Sequence, residues 1–230
     1  GHDLRRLFEF VDALQPPVLE NPQQYYNGLH LLEEPDLKRA EEFFHAAIEE
    51  KSIALDIETT ALRPYGKDSK LLSIAFGTYA DAYAIPLDHP QAAWTTNQRK
   101  ELDALLSEFL IGSKTKWAHH LSFELEWLSE FYGDSILHQT TWGCTMAQAY
   151  CLDPRQRALA LNDRTRLYFG FDLKPLSQLE VTKLIEYPLD QVLRYNALDV
   201  KYTAAVQLMQ EERLHQEGLS GLYDFHVKRI

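Results

Sequence analysis

Residues 52–62 read SIALDIETTAL. The stretch opens with apolar or small residues, as a buried strand does, and then places two acids one residue apart, Asp56 and Glu58. Side chains alternate across a strand, so positions i and i+2 share a face. Asp56 and Glu58 therefore point one way and Leu55 and Ile57 the other. Two like charges side by side repel, and one carboxyl stays protonated unless a cation joins them. The plain alternative for an isolated Asp-x-Glu, a short and weak pattern, is an exposed end of a strand.

Two more segments aim acid inward. On a helix at about 100° per residue, LSFELEWLSEFY (121–132) places Glu124 near the middle of an apolar stripe. Leu121, Leu125, Leu128 and Tyr132 fall to one side of it, and Phe123, Trp127 and Phe131 to the other. Ser122, Glu126, Ser129 and Glu130 take the wet face. An unpaired buried carboxylate costs several kcal/mol, so Glu124 needs a partner, a nearby His or a cation, or must reach out to water. In RYNALDVKYT (194–203), Tyr195 and Asp199 are four apart and lie a turn apart on one helix face. Val192, Tyr202 and Val206 share that face; a Tyr–Asp hydrogen bond knitting the core is the alternative there.

Strand and helix signals surround these segments. LLSIAFGT (71–78) and DAYAIPL (81–87) predict a hairpin turning at Tyr79-Ala80. Helices are predicted over 96–112, ended by Gly112, over 121–132, closed by Gly133, over 144–153, stopped by Pro154, and over 188–216 with Pro188 in the first turn. TKWAHH (115–120) reads as a short strand, and 158–180 as helix and loop. Residues 1–50 read as a helical extension or linker, with amphipathic segments at 3–14 and 34–51, and 51–230 as the main domain. Strands followed by packed helices predict an α/β fold with a central mixed sheet flanked by helices.

Composition sets limits on function. The chain has 230 residues, 45% of them hydrophobic and 25% charged, the balance of an ordinary globular protein. No apolar run approaches the roughly 18–20 residues that span a bilayer. Cys144 and Cys151, seven apart on a predicted helix, form neither a disulfide framework nor a zinc pattern, so a reducing, cytoplasmic setting is expected. The net charge of −11 argues against a protein that coats duplex DNA. It leaves room for an enzyme that grips a few nucleotides through cations. Hard oxygen ligands suit Mg²⁺ or Mn²⁺. Four carboxylates can hold two such ions about 3.5–4 Å apart, an arrangement used for in-line attack on phosphodiesters.

Asp56-x-Glu58, His120-x-x-Phe123-Glu124 and Tyr195-x-x-x-Asp199, in that order, resemble the three motifs of the DEDD 3′–5′ exonuclease superfamily, tyrosine subclass. LDIETTAL, AHHLSFELEWL, DLKPLSQL and YPLDQVLRYNALDVKYT are most similar to the proofreading domain of family A (DNA polymerase I-like) polymerases of phages and bacteria. The resemblance covers about residues 51–215. It implies an RNase H-like (DnaQ-like) fold. It also implies two Mg²⁺ or Mn²⁺ ions held by Asp56, Glu58, Glu124 and Asp199, with Tyr195 orienting the attacking water. The implied substrate is the 3′ end of single-stranded or frayed DNA, released as nucleoside 5′-monophosphates. The implied partner is a polymerase domain in the same full-length chain, in a bacterial or phage-infected cell.

Thr59 is expected to meet the terminal 3′-OH and Leu62 to wedge against the last base. His120 would contact sugar or phosphate, with Phe123 beside it as a packing residue. Arg63, Lys67, Lys70, Arg166 and Lys174, grouped in loops, are candidate strand contacts, with solvated surface charge the favoured reading for any one of them. Two positions depart from the family pattern: Glu124 stands where Asp is usual, and His120 where Asn is usual. Two alternatives stay open on the sequence: a free-standing exoribonuclease of the same fold, and a binding module that kept the fold and lost the chemistry.

Overall fold

The 52–59 segment is a strand, and its two faces are sorted by side-chain size. The structure, a computed structural model, describes residues 22–112, 114–155, 158–173 and 179–227. In chain order the elements are β1 (Leu29–Leu31), α1 (Leu37–Ile48), β2 (Ser52–Thr59), β3 (Leu71–Gly77), β4 (Ala82–Pro86), α2 (Thr96–Ile111) and β5 (Thr115–Ala118). They continue with α3 (Leu121–Tyr132), α4 (Ser135–Gln139), β6 (Trp142–Cys144), α5 (Thr145–Leu152), α6 (Leu161–Phe169), α7 (Leu189–Gln216) and α8 (Ser220–Val227). The helix predicted over 3–14 lies outside the described residues.

The strands form one mixed sheet in the order β1-β4-β3-β2-β5-β6. β2, β3 and β4 pair antiparallel, whereas β1 on β4, β5 on β2 and β6 on β5 are parallel. The β3–β4 hairpin turns where the sequence predicts, and the mixed α/β sheet is the expected fold class.

One sheet face is bulky. Ile53, Leu55, Ile57, Ile74, Phe76 and Ile85 pack there with Phe43 and Phe44 of α1 and Leu102, Leu106 and Phe109 of α2. Phe76 lies 5.0 Å from Phe44 and 4.6 Å from Phe109, ring centre to ring centre. Each such side chain contributes about 1.5–3 kcal/mol by leaving water. The opposite face is lined by Ala54, Ala75, Ala82 and Ala84, and α7 lies on it through Leu189, Leu193, Ala197, Val200 and Ala204. The alanines of the sheet leave room for Leu189, Leu193 and Val200, and Ala197 and Ala204 are short on the helix side as well. Asp56 and Glu58 follow Ala54 at two-residue intervals, so they share this face. A one-residue slip of β2 would drive both acids into the bulky core, which fixes the register.

Local signals set the element ends. Thr95 and Gln98 form a reciprocal cap at the start of α2. Pro188 precedes α7, and Gly133 ends α3 at φ +86°. Gly143 on β6 is required by contact: a Cβ there would meet the Trp117 ring at 2.4 Å. Four described elements were not expected from sequence: β1, α4, β6 and α8. β1 adds an outer strand to the sheet, and α1 packs into the bulky core, so residues 29–48 are joined to the rest of the fold.

Candidate active site

Three backbone elements bring acids together. β2 supplies Asp56 and Glu58, and α7, lying over the alanine face, supplies Asp199. One carboxylate oxygen from each of the three lies within 4.8 Å of the others. Glu124 comes from the first turn of α3, which follows β5, the parallel neighbour of β2. Ligand sites in α/β sheets gather at the carboxyl ends of parallel strands, and this cluster sits there. Glu124 is only 3% exposed, and its Oε2 is buried with no hydrogen-bond partner. It lies outside the 4.8 Å trio yet near enough to act electrostatically on Glu58, while Asp56 acts on it.

The electrostatics follow from burying four acids near one another. Burial first, and the Asp199 charge second, push the Asp56 carboxyl well above the usual range. Glu58 is raised by burial, then by Asp56, Asp199 and Glu124. Burial and Asp56 raise Glu124. Asp199 is pushed up to about 7 by burial, opposed by a hydrogen bond from the Tyr195 hydroxyl. The Asp199 charge and burial in turn hold the Tyr195 phenol far above its ordinary value, so it remains a neutral donor. Among the described residues, no Lys, Arg or His forms an ion pair with any of the four acids. A hard, oxygen-only donor set, mutual repulsion and a bare Glu124 oxygen fit a divalent cation such as Mg²⁺ or Mn²⁺.

Other expected residues surround the cluster. Thr59, at a register shift in β2, donates its hydroxyl to the Ala61 carbonyl at 2.8 Å. Leu62 stands 83% exposed on the loop that follows. His120 is exposed just before α3, its ring parallel to that of half-buried Phe123 with centres 6.2 Å apart. The neighbouring His119 is a core residue. Its ring nitrogens bond the Thr145 hydroxyl (2.7 Å) and the Leu159 carbonyl (2.9 Å), and burial lowers it to about 4.

Some sequence readings need correction. Glu126 is not free on a wet face: it is half-buried and ion-paired with Arg63, and the Tyr65 hydroxyl also bonds to it. Arg63 therefore pins the 60–70 loop to α3. Arg166 is engaged by Asp172 at 2.6 Å. Lys67 and Lys70 are exposed, and Lys174 lies outside the described residues.

The sequence reading missed Asn196. It is fully buried and donates from Nδ2 to Asp56 Oδ2 at 2.7 Å, while Ser73 donates to its Oδ1 at 3.0 Å. A signal was present, since Asn196 stands three before Asp199 and so shares its helix face.

Residues 35–212 match the family described as 3′-5′ exonuclease. Among curated proteins, none matches the sequence. Brucella melitensis NrnC with bound Mg²⁺ is 18% identical, with a TM-score of 0.61 over 87% of this chain and 86% of that one. The Aedes aegypti Nibbler EXO domain is 14% identical, with a TM-score of 0.62 over 87% of this chain and 95% of that one. The POL domain of Pol1 from M. smegmatis, in complex with DNA primer-template and dNTP, is 17% identical, with a TM-score of 0.52 over 81% of this chain but 28% of that one. At such identities these likenesses speak for the shared fold, a mixed sheet with flanking helices of the RNase H-like exonuclease kind. The family match spans most of the sequence and contains all three acidic segments: the chain belongs to the 3′–5′ exonuclease family and is a 3′–5′ exonuclease.

Proposed function

We propose that this exonuclease trims the 3′ end of single-stranded or frayed DNA, releasing nucleoside 5′-monophosphates, as the proofreading part of a DNA polymerase. The observation that carries the reading is the convergence of Asp56, Glu58 and Asp199, with Glu124 beside them and the Tyr195 hydroxyl on Asp199. This is the set that the sequence resemblance ties to the tyrosine subclass. Asp56, Glu58, Glu124 and Asp199 would hold two divalent cations. Bound there, such ions neutralise charge on the scissile phosphate, activate water and stabilise the leaving oxygen. NrnC with bound Mg²⁺ supports this choice of cofactor.

The chain's own groups do the positioning. Tyr195, a donor fixed by Asp199, orients the attacking water. Thr59 meets the terminal 3′-OH, and exposed Leu62 wedges against the last base. His120, backed by the Phe123 ring, donates to sugar or phosphate. Residues 1–50 are read as an extension of the 51–230 exonuclease domain, docked through β1 and α1. No helix among the described residues is long and apolar enough to cross a membrane, and a bacterial or phage-infected cytoplasm is the proposed setting.

Tyr195→Phe removes one hydrogen bond to a charged group, worth about 1.5–3 kcal/mol. Single-turnover nucleotide release is expected to slow roughly 10- to 100-fold, less than on loss of a metal ligand. An unchanged rate would remove Tyr195 from the water-positioning role.

Timed digestion of 3′- and 5′-labelled single- and double-stranded DNA and RNA, in Mg²⁺, Mn²⁺ or EDTA, tests the whole reading. The expected result is one-nucleotide laddering from the 3′ end of single-stranded DNA, abolished by EDTA. Degradation of RNA alone would favour a second reading, a free-standing exoribonuclease. That reading draws on one observation: the fold likeness to Brucella melitensis NrnC extends over 86% of that chain.

A further inference from the structure

Asp56 could turn either oxygen toward its neighbours, since a carboxylate rotates about a broad two-fold torsion. Asn196 removes that freedom. A carboxylate only accepts, so the amide nitrogen must face Asp56, and the amide oxygen is left for the Ser73 hydroxyl. The contacts agree: Nδ2 to Asp56 Oδ2 is 2.7 Å, and Ser73 Oγ to Oδ1 is 3.0 Å. Both Asn196 and Ser73 are 0% exposed, so water does not replace either bond. The placement is also informative. Ser73 stands directly across from Glu58 in the β2–β3 ladder, and Asn196 is three residues before Asp199 on α7. A single buried amide thus ties the β2 acid to the helix that carries the α7 acid, with β3 as its anchor.

We infer that Asn196 is a positioning residue for the metal site: it commits Oδ2 of Asp56 and leaves the other oxygen to the acidic cluster. The inference rests on the proposed metal-binding role of Asp56. Groups that orient metal ligands typically account for about 10- to 100-fold in metal affinity.

The test is equilibrium Mn²⁺ binding to the chelator-stripped full chain, with free Mn²⁺ followed by electron paramagnetic resonance and thermal midpoints in EDTA measured alongside. Asn196→Ala is expected to weaken Mn²⁺ binding about tenfold or more, and Ser73→Ala to weaken it less, in the same direction. A residue that serves only the fold would lower the thermal midpoint and leave Mn²⁺ affinity as in the wild type; that outcome overturns the inference. If Asn196→Ala does not fold, Ser73→Ala decides, and unchanged affinity in it again overturns the inference. Asp56→Asn separates the two levels. Wild-type Mn²⁺ binding in Asp56→Asn would defeat the metal reading itself, whereas lost binding there beside unchanged binding in Asn196→Ala would defeat the inference alone.

Discussion

Asp199→Ala is expected to cut nucleotide release by about a thousandfold or more while leaving the fold in place. Removing one group that stabilises transition-state charge typically costs about 10²–10³ in rate, and Asp199 has two tasks. Its carboxylate is one of the three that converge within 4.8 Å, and it holds the Tyr195 hydroxyl. The variant loses a cation ligand and frees the phenol that orients water. The fold survives because α7 is held by Leu189, Leu193, Ala197 and Val200 on the alanine face, none of which touches this role. Single-turnover release from a 3′-labelled oligonucleotide in Mn²⁺ reads the rate, and full activity in the variant would exclude Asp199 from the reaction.

In EDTA, Asp199→Asn is expected to be more stable than the wild type at pH 8, with the advantage shrinking as pH falls below about 7 and gone only below about pH 4. The sign follows from linkage. Folded Asp199 titrates at about 7, whereas an unfolded aspartate titrates near 4. Between these values the folded chain binds more protons, so stability falls as pH rises through about 7. Asp56, Glu58 and Glu124 are raised for the same reason and add to the trend. His119 opposes it: folded, it titrates at about 4, below the unfolded value of about 6.5, so its contribution is lost as pH falls. Comparing the variant with the wild type at each pH cancels His119. Mn²⁺ at about a hundred times its dissociation constant adds about 2.7 kcal/mol, or roughly 5–10 °C in thermal midpoint for a chain of this size. That shift is expected in the wild type at pH 8 and largely lost in Asp199→Asn. Parallel pH profiles and equal Mn²⁺ shifts would contradict the electrostatic origin.

What could be read in the sequence depended on periodicity and range. The strand at 52–59, the β3–β4 hairpin and α7 carry strong local patterns, and the structure has all three. The resemblance read over residues 51–215 overlaps most of the 35–212 family match. β1 and β6, three residues each, are too short to show a two-residue period, and their existence depends on partners distant in sequence. The alanine face was hidden for another reason: Ala54, Ala75, Ala82 and Ala84 come from three strands and gain meaning only in register. Glu124 was legible as an acid in an apolar stripe. Glu126 was misread because Arg63, its partner, reaches it from another loop. Asn196 looks like an ordinary helix polar residue until Asp56, 140 residues away, is placed against it.

The central claim is that Asp56, Glu58, Glu124 and Asp199 cage two divalent ions. Anomalous diffraction from a crystal soaked in Mn²⁺ tests it directly. Two manganese peaks are expected among these carboxylates, with a Glu124 oxygen drawn onto one of them. Density free of manganese between the four side chains, in a crystal that binds it elsewhere, would contradict the claim.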